Sequence, residues 1–151
     1  MKRYIMAMAI PKKEARAKIE GFGDMIQRHI IECVVYSNDQ HNTSHWVNEI
    51  SAWMNKISRI KCKSTLTEKD YRECLFDRYG DEIDDAKWDL DNYHDSSLRK
   101  SNYPDFEVTD DLAKELFDTY QKFMSITLPV LVKGNIVSYE DWQILLKDTF
   151  N

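Results

Sequence analysis

Residues 43–60 contain an apolar series at steps of four, three and four, and this spacing limits the fold more than any other feature of the sequence. Trp46, Ile50, Trp53 and Ile57 make up the series. At about 100° per residue, the four side chains fall within about 60° of one another on a helix. Each Trp buries about 150–250 Å² when it is packed, so other segments must supply a thick apolar layer. The stretch therefore predicts an amphipathic helix in a helical core.

Residues that form turns are scarce in this chain. The 151 residues include only four Gly and three Pro, too few for a β-sandwich with a turn about every 8–12 residues. Apolar residues make up 42% and charged residues 31% of the chain, which is ordinary for a globular domain. We therefore predict an all-α fold, a single-domain bundle of four to five amphipathic helices that spans residues 1–151.

Polar residues and periodicity set the expected helix bounds. A first helix is expected from about Lys12 to Tyr36, preceded by residues 1–11 as a short strand or an extended N-terminal arm. Pro129 is expected to kink or end the helix that contains it. Residues that favour the N-cap position mark three further helix starts: Thr43 or Ser44, Thr109 or Asp110, and Ser138.

Residues 67–98 are predicted to form one long helix, with at most a bend at Gly80. Thr67 and Asp70 suit a helix start. The helical phase of the apolar residues is the same before and after Gly80, which favours a continuous helix. Six residues would share its apolar face: Phe76, Tyr79, Ile83, Ala86, Leu90 and Tyr93.

Negative charge is concentrated in the same part of the chain. The net charge is −5 overall, but residues 77–118 carry 14 Asp/Glu against 5 Lys/Arg, a net charge of −9. Trp88 lies opposite the apolar face of the predicted helix, and an exposed Trp inside a charged rim is typical of a binding hot spot. Alternatively, Trp88 packs beneath a second layer such as residues 101–108. Five carboxylates surround it on the helix: Asp81, Asp84, Asp85, Asp91 and Asp95.

The charge pattern disfavours direct nucleic-acid binding and favours a basic protein partner. We expect a non-enzymatic, acidic helical module that binds another protein, although the sequence leaves enzyme activity open. The concrete form of this hypothesis is a bacterial immunity protein or antitoxin that neutralises a basic, nuclease-type toxin, because carboxylates on a helix resemble the phosphates of a nucleic acid. No cofactor is expected.

A metal-dependent phosphohydrolase is an alternative function. Its His…His-Asp…Asp order is matched by His29, His94, Asp95 and Asp111, and in such enzymes these residue types bind divalent ions that generate hydroxide. A segment so rich in carboxylates also produces this order by chance, and His29 lies on an apolar face, as a core histidine would.

Two other groupings suggest a ligand. His41, His45 and Glu49 are spaced by four residues, as metal ligands on a helix are, but a cap at 43 or 44 places His41 outside the helix. A helical bundle with a small-molecule pocket is the other alternative, its expected lining being Trp46, Trp53 and Phe123. Aromatic residues at helical spacing more often form a core.

The cysteines and the apolar runs bear on location. Cys33, Cys62 and Cys74 are few and scattered, as reduced thiols in a cytosolic protein are. The apolar run within residues 1–10 is too short for a signal peptide, and no run approaches the length of a membrane span. We therefore expect a cytoplasmic protein without membrane association.

Overall fold

The computed structural model describes residues 9–96 and 103–150, and these ranges contain six α-helices and no strand. The prediction of an all-α bundle is confirmed, with six helices in place of the expected four to five. None of the helices in the described ranges is both long and apolar enough to cross a bilayer. The helices are α1 (Lys12–Val35), α2 (Gln40–Ser58), α3 (Glu68–Tyr71), α4 (Ile83–Asp95), α5 (Asp110–Lys133) and α6 (Tyr139–Lys147).

Helix α1 lies at the centre of the packing and contacts α2, α4 and α5, while α6 packs on α2 and α5. Its buried face includes Ile19, Ile26 and Ile30, all fully buried. Helix α1 continues through Gly23. The absence of a side chain at this position leaves room for the guanidinium of Arg78. A Cβ at this position would lie 2.7 Å from Nη2 of Arg78.

Helix α2 begins earlier than the sequence predicts. Asp39 is its N-cap and accepts a hydrogen bond from the backbone N–H of Asn42 at 3.1 Å, so the predicted cap at Thr43 or Ser44 is wrong. His41 therefore lies inside the first turn of the helix. The predicted caps Thr109 and Ser138 are confirmed, since each side chain accepts a hydrogen bond from the backbone N–H three residues later.

The prediction of a single helix over residues 67–98 is wrong, because the backbone breaks at Gly80. After α3, a π-helical turn covers Arg72–Phe76 and a 3-10 turn covers Asp77–Tyr79. Gly80 then adopts φ 74° and ψ 179°, a conformation outside every helical region that is essentially restricted to glycine. Helix α4 starts afterwards at Ile83, and residues 97 and 98 lie outside the described ranges.

The two sides of the break still share the core. Ile83 is 40% exposed, whereas the other members of the predicted apolar stripe are buried. Both α3 and α4 pack against α5, so each presents apolar residues to one core without sharing a helix axis. The buried members are Phe76, Tyr79, Ala86, Leu90 and Tyr93.

The chain segments outside the helices are also partly anchored. Ile10 forms an isolated parallel bridge with Cys62, so the described end of the expected N-terminal arm is extended. Residues 1–8 of that arm lie outside the described ranges.

Helix α5 continues through Pro129 as far as Lys133. Of the two outcomes expected for Pro129, a kink or a helix end, the second does not occur. Gly134 ends α5 in the left-handed conformation, with φ 76°.

Candidate functional site

One side of α4 carries three exposed carboxylates and an exposed indole. Trp88 is 67% exposed, and Asp84, Asp91 and Asp95 are exposed as well. These residues follow one another at steps of four, three and four, so they fall within about 60° on the helix. We call these four residues the acidic face of α4. The opposite side of the helix is fixed in the core by Leu90 and its neighbours.

The other two carboxylates predicted around Trp88 have different positions. Asp85 accepts hydrogen bonds at Oδ2 from the backbone N–H groups of Asp81 and Glu82, both at 3.0 Å. It therefore caps the start of α4 and is not free to bind a partner. Asp81 precedes the helix and is exposed, beside the break at Gly80.

A groove of about 350 Å³ lies between α1 and α4, and Trp88 forms part of its wall. Met25, Ile31 and Tyr93 contribute apolar surface to it, and Asp89 contributes a carboxylate. Trp88 thus borders α1 and does not pack beneath the described part of the loop after α4. That loop instead places Phe106 against other rings, those of Tyr36, Tyr93 and His94.

Asp89 lines this groove, and two donors hold its carboxylate. Tyr120 donates its hydroxyl to Oδ2 at 2.9 Å, and Gln27 donates Nε2–H to the same oxygen at 3.1 Å. Burial raises the pKa of Asp89 to about 6, against the lowering effect of these two hydrogen bonds. The negative charge of Asp85 also contributes to the raised value. The groove therefore contains a carboxylate that is charged at neutral pH yet poorly solvated.

The C-terminal end of α4 carries a histidine between two carboxylates. His94 contacts Asp95 through Nδ1 at 3.1 Å and Asp105 through Nε2 at 2.9 Å. The hydrogen bond to Asp95 and the charge of Asp105 raise the pKa of His94. At this end, the positive charge of a protonated His94 partly offsets the acidic face.

The four residues of the phosphohydrolase alternative do not form one site. Among the described residues, no group of three or more His, Cys, Asp or Glu side chains is arranged to hold a metal ion. His94 and Asp95 are adjacent on the surface, whereas His29 is buried against α2 and Asp111 lines a different surface groove, on α5. The geometry therefore gives no support to this alternative.

His29 is buried and takes part in a polar network that extends to the surface. Its Nδ1 lies 2.7 Å from Oε1 of Glu32, and its Nε2 contacts Glu49. Glu49 in turn lies 2.9 Å from Nε2 of His45. The ring of Trp53 packs on His29, with centroids 5.0 Å apart. His29 is thus a core histidine whose two ring nitrogens are both occupied, which is how buried polar groups are normally satisfied.

The aromatic residues of the small-molecule alternative lie in two separate clusters. Trp46 and Trp53 contact His29, whereas Phe123 packs on Phe76 and Tyr79. Trp46 is 3% exposed and Phe123 is fully buried. These side chains therefore build the core from two sides and do not line one cavity together.

Comparison of the chain with protein-family models, with curated proteins and with solved structures finds no match. The chain's own side chains are therefore the basis for assigning a function. Among the described surface residues, Trp88 has the largest exposed indole, since Trp46 and Trp142 are buried and Trp53 is partly buried.

Asp89 and its donors Gln27 and Tyr120 are not among the site residues that the sequence predicts. A signal was present, because Ala86, Asp89, Leu90 and Tyr93 follow the i, i+3, i+4, i+7 spacing of a buried helix face. A carboxylate at a packing position must find donors or stay partly solvated. Asp89 does both, which distinguishes it from the carboxylates of the acidic face.

Proposed function

We propose that this chain is a non-enzymatic protein-binding module whose acidic face of α4 binds a basic protein. The observation that carries this proposal is the exposure of Trp88 among Asp84, Asp91 and Asp95. The apolar surface of an indole is unfavourably exposed to water. Its burial at an interface therefore contributes favourable free energy of binding.

The charges of the three aspartates favour a basic partner. Asp84 and Asp91 make no ion pair among the described residues, and Asp95 contacts only His94 there. Carboxylates that make no ion pair among the described residues project a negative potential that attracts a basic surface and speeds its encounter. A partner that covers Trp88 would then remove water from these charges and strengthen their pairing.

The most specific form of the proposal is an immunity protein or antitoxin for a basic nuclease-type toxin. A row of carboxylates along a helix offers negative charge to a cleft that normally holds phosphates. The free cysteines Cys33, Cys62 and Cys74 suit a reducing compartment, which supports the cytoplasm as the place of action.

The test is affinity capture from the native host with four tagged versions of the chain: the wild type, Trp88→Ala, a triple Asn variant and a control. Trp88→Ala should reduce recovery of the specific partner more than tenfold, because a central hot-spot residue contributes about 2 kcal/mol or more. A triple Asn substitution at Asp84, Asp91 and Asp95 should reduce it further at low salt. The captured protein should be basic, and equimolar chain should inhibit it if it has nuclease activity.

Ile144→Ala provides the matched control. Ile144 is 69% exposed on α6, close to the exposure of Trp88 on α4, so the substitution removes a comparable apolar side chain from another surface. The control should bind as well as the wild type. Equal recovery with Trp88→Ala and the wild type, or a partner that is itself acidic, would contradict the proposal.

A further inference from the structure

We infer that the groove between α1 and α4 takes one arginine side chain of the basic partner, held between the indole of Trp88 and the carboxylate of Asp89. This inference rests on the proposed function and adds to it the chemistry of one contact. The groove adjoins the acidic face, because Trp88 belongs to both. A partner that covers the face is therefore placed to send a side chain into the groove.

The charge of the groove favours a cation. Tyr120 and Gln27 both donate to Oδ2 of Asp89, so Oδ1 has no hydrogen-bond donor among the described residues. A partly buried carboxylate oxygen in a groove gains most from a charged donor, since charge-assisted hydrogen bonds are roughly twice as strong as neutral ones. The nearby Asp85 adds to the negative potential at Asp89.

The shape and lining favour arginine over lysine. The groove volume of about 350 Å³ is small but sufficient for one side chain. Met25 and Ile31 offer apolar surface to the methylene groups, and Trp88 offers a flat ring to a flat guanidinium. Arginine stacks on aromatic rings and loses less hydration than lysine does.

Arg28 modulates the site from α1. It lines the same groove, and its Nε lies 3.8 Å from Glu32, so its own ion pair is weak. Its positive charge opposes an entering cation. Removing that charge in Arg28→Ala should therefore raise the affinity for arginine about two- to threefold, an effect that a purely structural role of Asp89 does not predict.

The direct test uses N-acetyl-arginine amide as the probe and N-acetyl-citrulline amide as its uncharged equivalent. The readout is the indole N–H resonance of Trp88 in a ¹⁵N-labelled sample, assigned with Trp88→Phe. The arginine probe should give a saturable shift with a Kd of about 10 mM or below, and the citrulline probe should bind at least fivefold more weakly. Equal shifts with both probes, or no saturation by about 100 mM, would overturn the inference.

Asp89→Asn and Asp111→Asn form the matched pair of variants. Each removes one carboxylate, but Asp89 lines the groove between α1 and α4, whereas Asp111 is exposed on α5 and lines a different groove. In Asp89→Asn, the amide oxygen of the introduced side chain can still accept from Gln27 and Tyr120, so the fold should be retained, as a thermal melt will verify. Arginine affinity should fall at least fivefold in Asp89→Asn and less than twofold in Asp111→Asn. The reverse order would overturn the inference.

The affinity should also decline as the pH is lowered through about 6, because Asp89 then becomes protonated. The charged and titratable groups around it are Asp24, Arg28, Tyr79, Asp85, Tyr93 and Tyr120. Burial raises the pKa values of Tyr79, Tyr93 and Tyr120 above 10, so none of these tyrosines titrates near pH 6. An affinity that is constant from pH 8 to pH 5 would overturn the assignment to Asp89.

Capture of the partner separates this inference from the proposed function. Recovery that survives Asp89→Asn but is lost in Trp88→Ala and the triple Asn variant contradicts the arginine contact and leaves the basic partner in place. Recovery that none of these substitutions affects contradicts both. Recovery that falls in Asp89→Asn, together with specific binding of the arginine probe, supports both.

Discussion

Two acidic regions of this molecule, the contact of α3 with α1 and the acidic face of α4, use carboxylates in opposite ways. In the first, Asp70 is 4% exposed and lies 2.7 Å from Arg16 and 2.9 Å from Lys12. In the second, Asp91 is exposed and has no such ion pair among the described residues. The carboxylate of Asp70 holds α3 against α1, whereas Asp84 and Asp91 on α4 make no ion pair among the described residues.

The pKa values follow the same division. Burial raises the pKa of Asp70, but hydrogen bonds from Thr67 and contacts with Lys12 outweigh it, so this pKa lies well below its ordinary value. Asp89, in the groove beside the acidic face, makes no ion pair among the described residues, and its pKa is raised to about 6. The number of acidic residues in a segment thus says little about binding until their partners are known.

The largest expected effect on stability is that of Asp70→Ala. The substitution removes the capping box with Thr67 and leaves Arg16 and Lys12 without their buried partner. We expect a loss of about 3 kcal/mol in the free energy of unfolding, measured by urea denaturation at pH 7. A loss below about 1 kcal/mol would remove the contrast between the two regions.

The stabilising effect of Asp70 should depend on pH in a defined direction. Its folded pKa is depressed, so its contribution is present above the ordinary value of 3.8 and is lost as the pH falls towards the folded pKa. The difference in stability between the wild type and Asp70→Ala should therefore shrink in acid. A difference that grows on acidification contradicts the role of the ionised carboxylate.

Gly80→Ala tests the break that separates the two regions. A Cβ at this position would lie 2.3 Å from Oδ2 of Asp85, and φ is 74°. We expect a loss of about 2 kcal/mol, read from chemical denaturation. If residues 67–98 formed one helix in solution, the same substitution would stabilise the chain by up to about 1 kcal/mol, so the sign of the change decides between the two structures.

Gly134→Ala is the matched control for this experiment. Gly134 also has a positive φ, 76°, but nothing lies within 4 Å of its added Cβ. Only the cost of the left-handed conformation applies there, about 1 kcal/mol. Similar losses at the two glycines would show that Asp85 moves aside easily and does not fix the start of α4.

Periodicity predicted the helices well and the break badly, for a physical reason. Spacing reports which residues face the core, and Phe76, Tyr79, Leu90 and Tyr93 do face it. Two short segments that pack on the same helix α5 produce the same spacing as one long helix. The break depends on the contact of Asp85 with the backbone at 81 and 82, which an apolar pattern cannot reveal.

The candidate site was predicted only in part. Helical periodicity within α4 is enough to predict which face of this helix points away from the core. Four residues of that face are exposed: Asp84, Trp88, Asp91 and Asp95. The groove depends on how α1 lies beside α4, since it combines Met25 with Asp89. Such a pairing of distant segments is a tertiary contact, which the periodicity of residues along the chain does not reveal.

Asp89→Asn is expected to have a smaller effect on stability, of opposite sign to that of Asp70→Ala. The pKa of Asp89 is raised from 3.8 to about 6, so its favourable contribution is present below pH 3.8 and is lost as the pH rises through about 6. After allowance for solvent screening, the asparagine variant should exceed the wild type by about 1 kcal/mol at pH 8. The excess should vanish near pH 4 in parallel urea titrations; an excess independent of pH would contradict the raised pKa.

The smallest expected effect on stability is that of Asp91→Ala, which completes the comparison with Asp70→Ala. Asp91 is exposed and makes no ion pair or hydrogen bond among the described residues, so the free energy of unfolding should change by less than about 0.5 kcal/mol. Its charge should matter only for association, where it should slow binding of a basic partner at low salt but not at high salt. A loss of more than about 1 kcal/mol in urea denaturation would mean that Asp91 stabilises the fold. The contrast between Asp91 and Asp70 would then not hold.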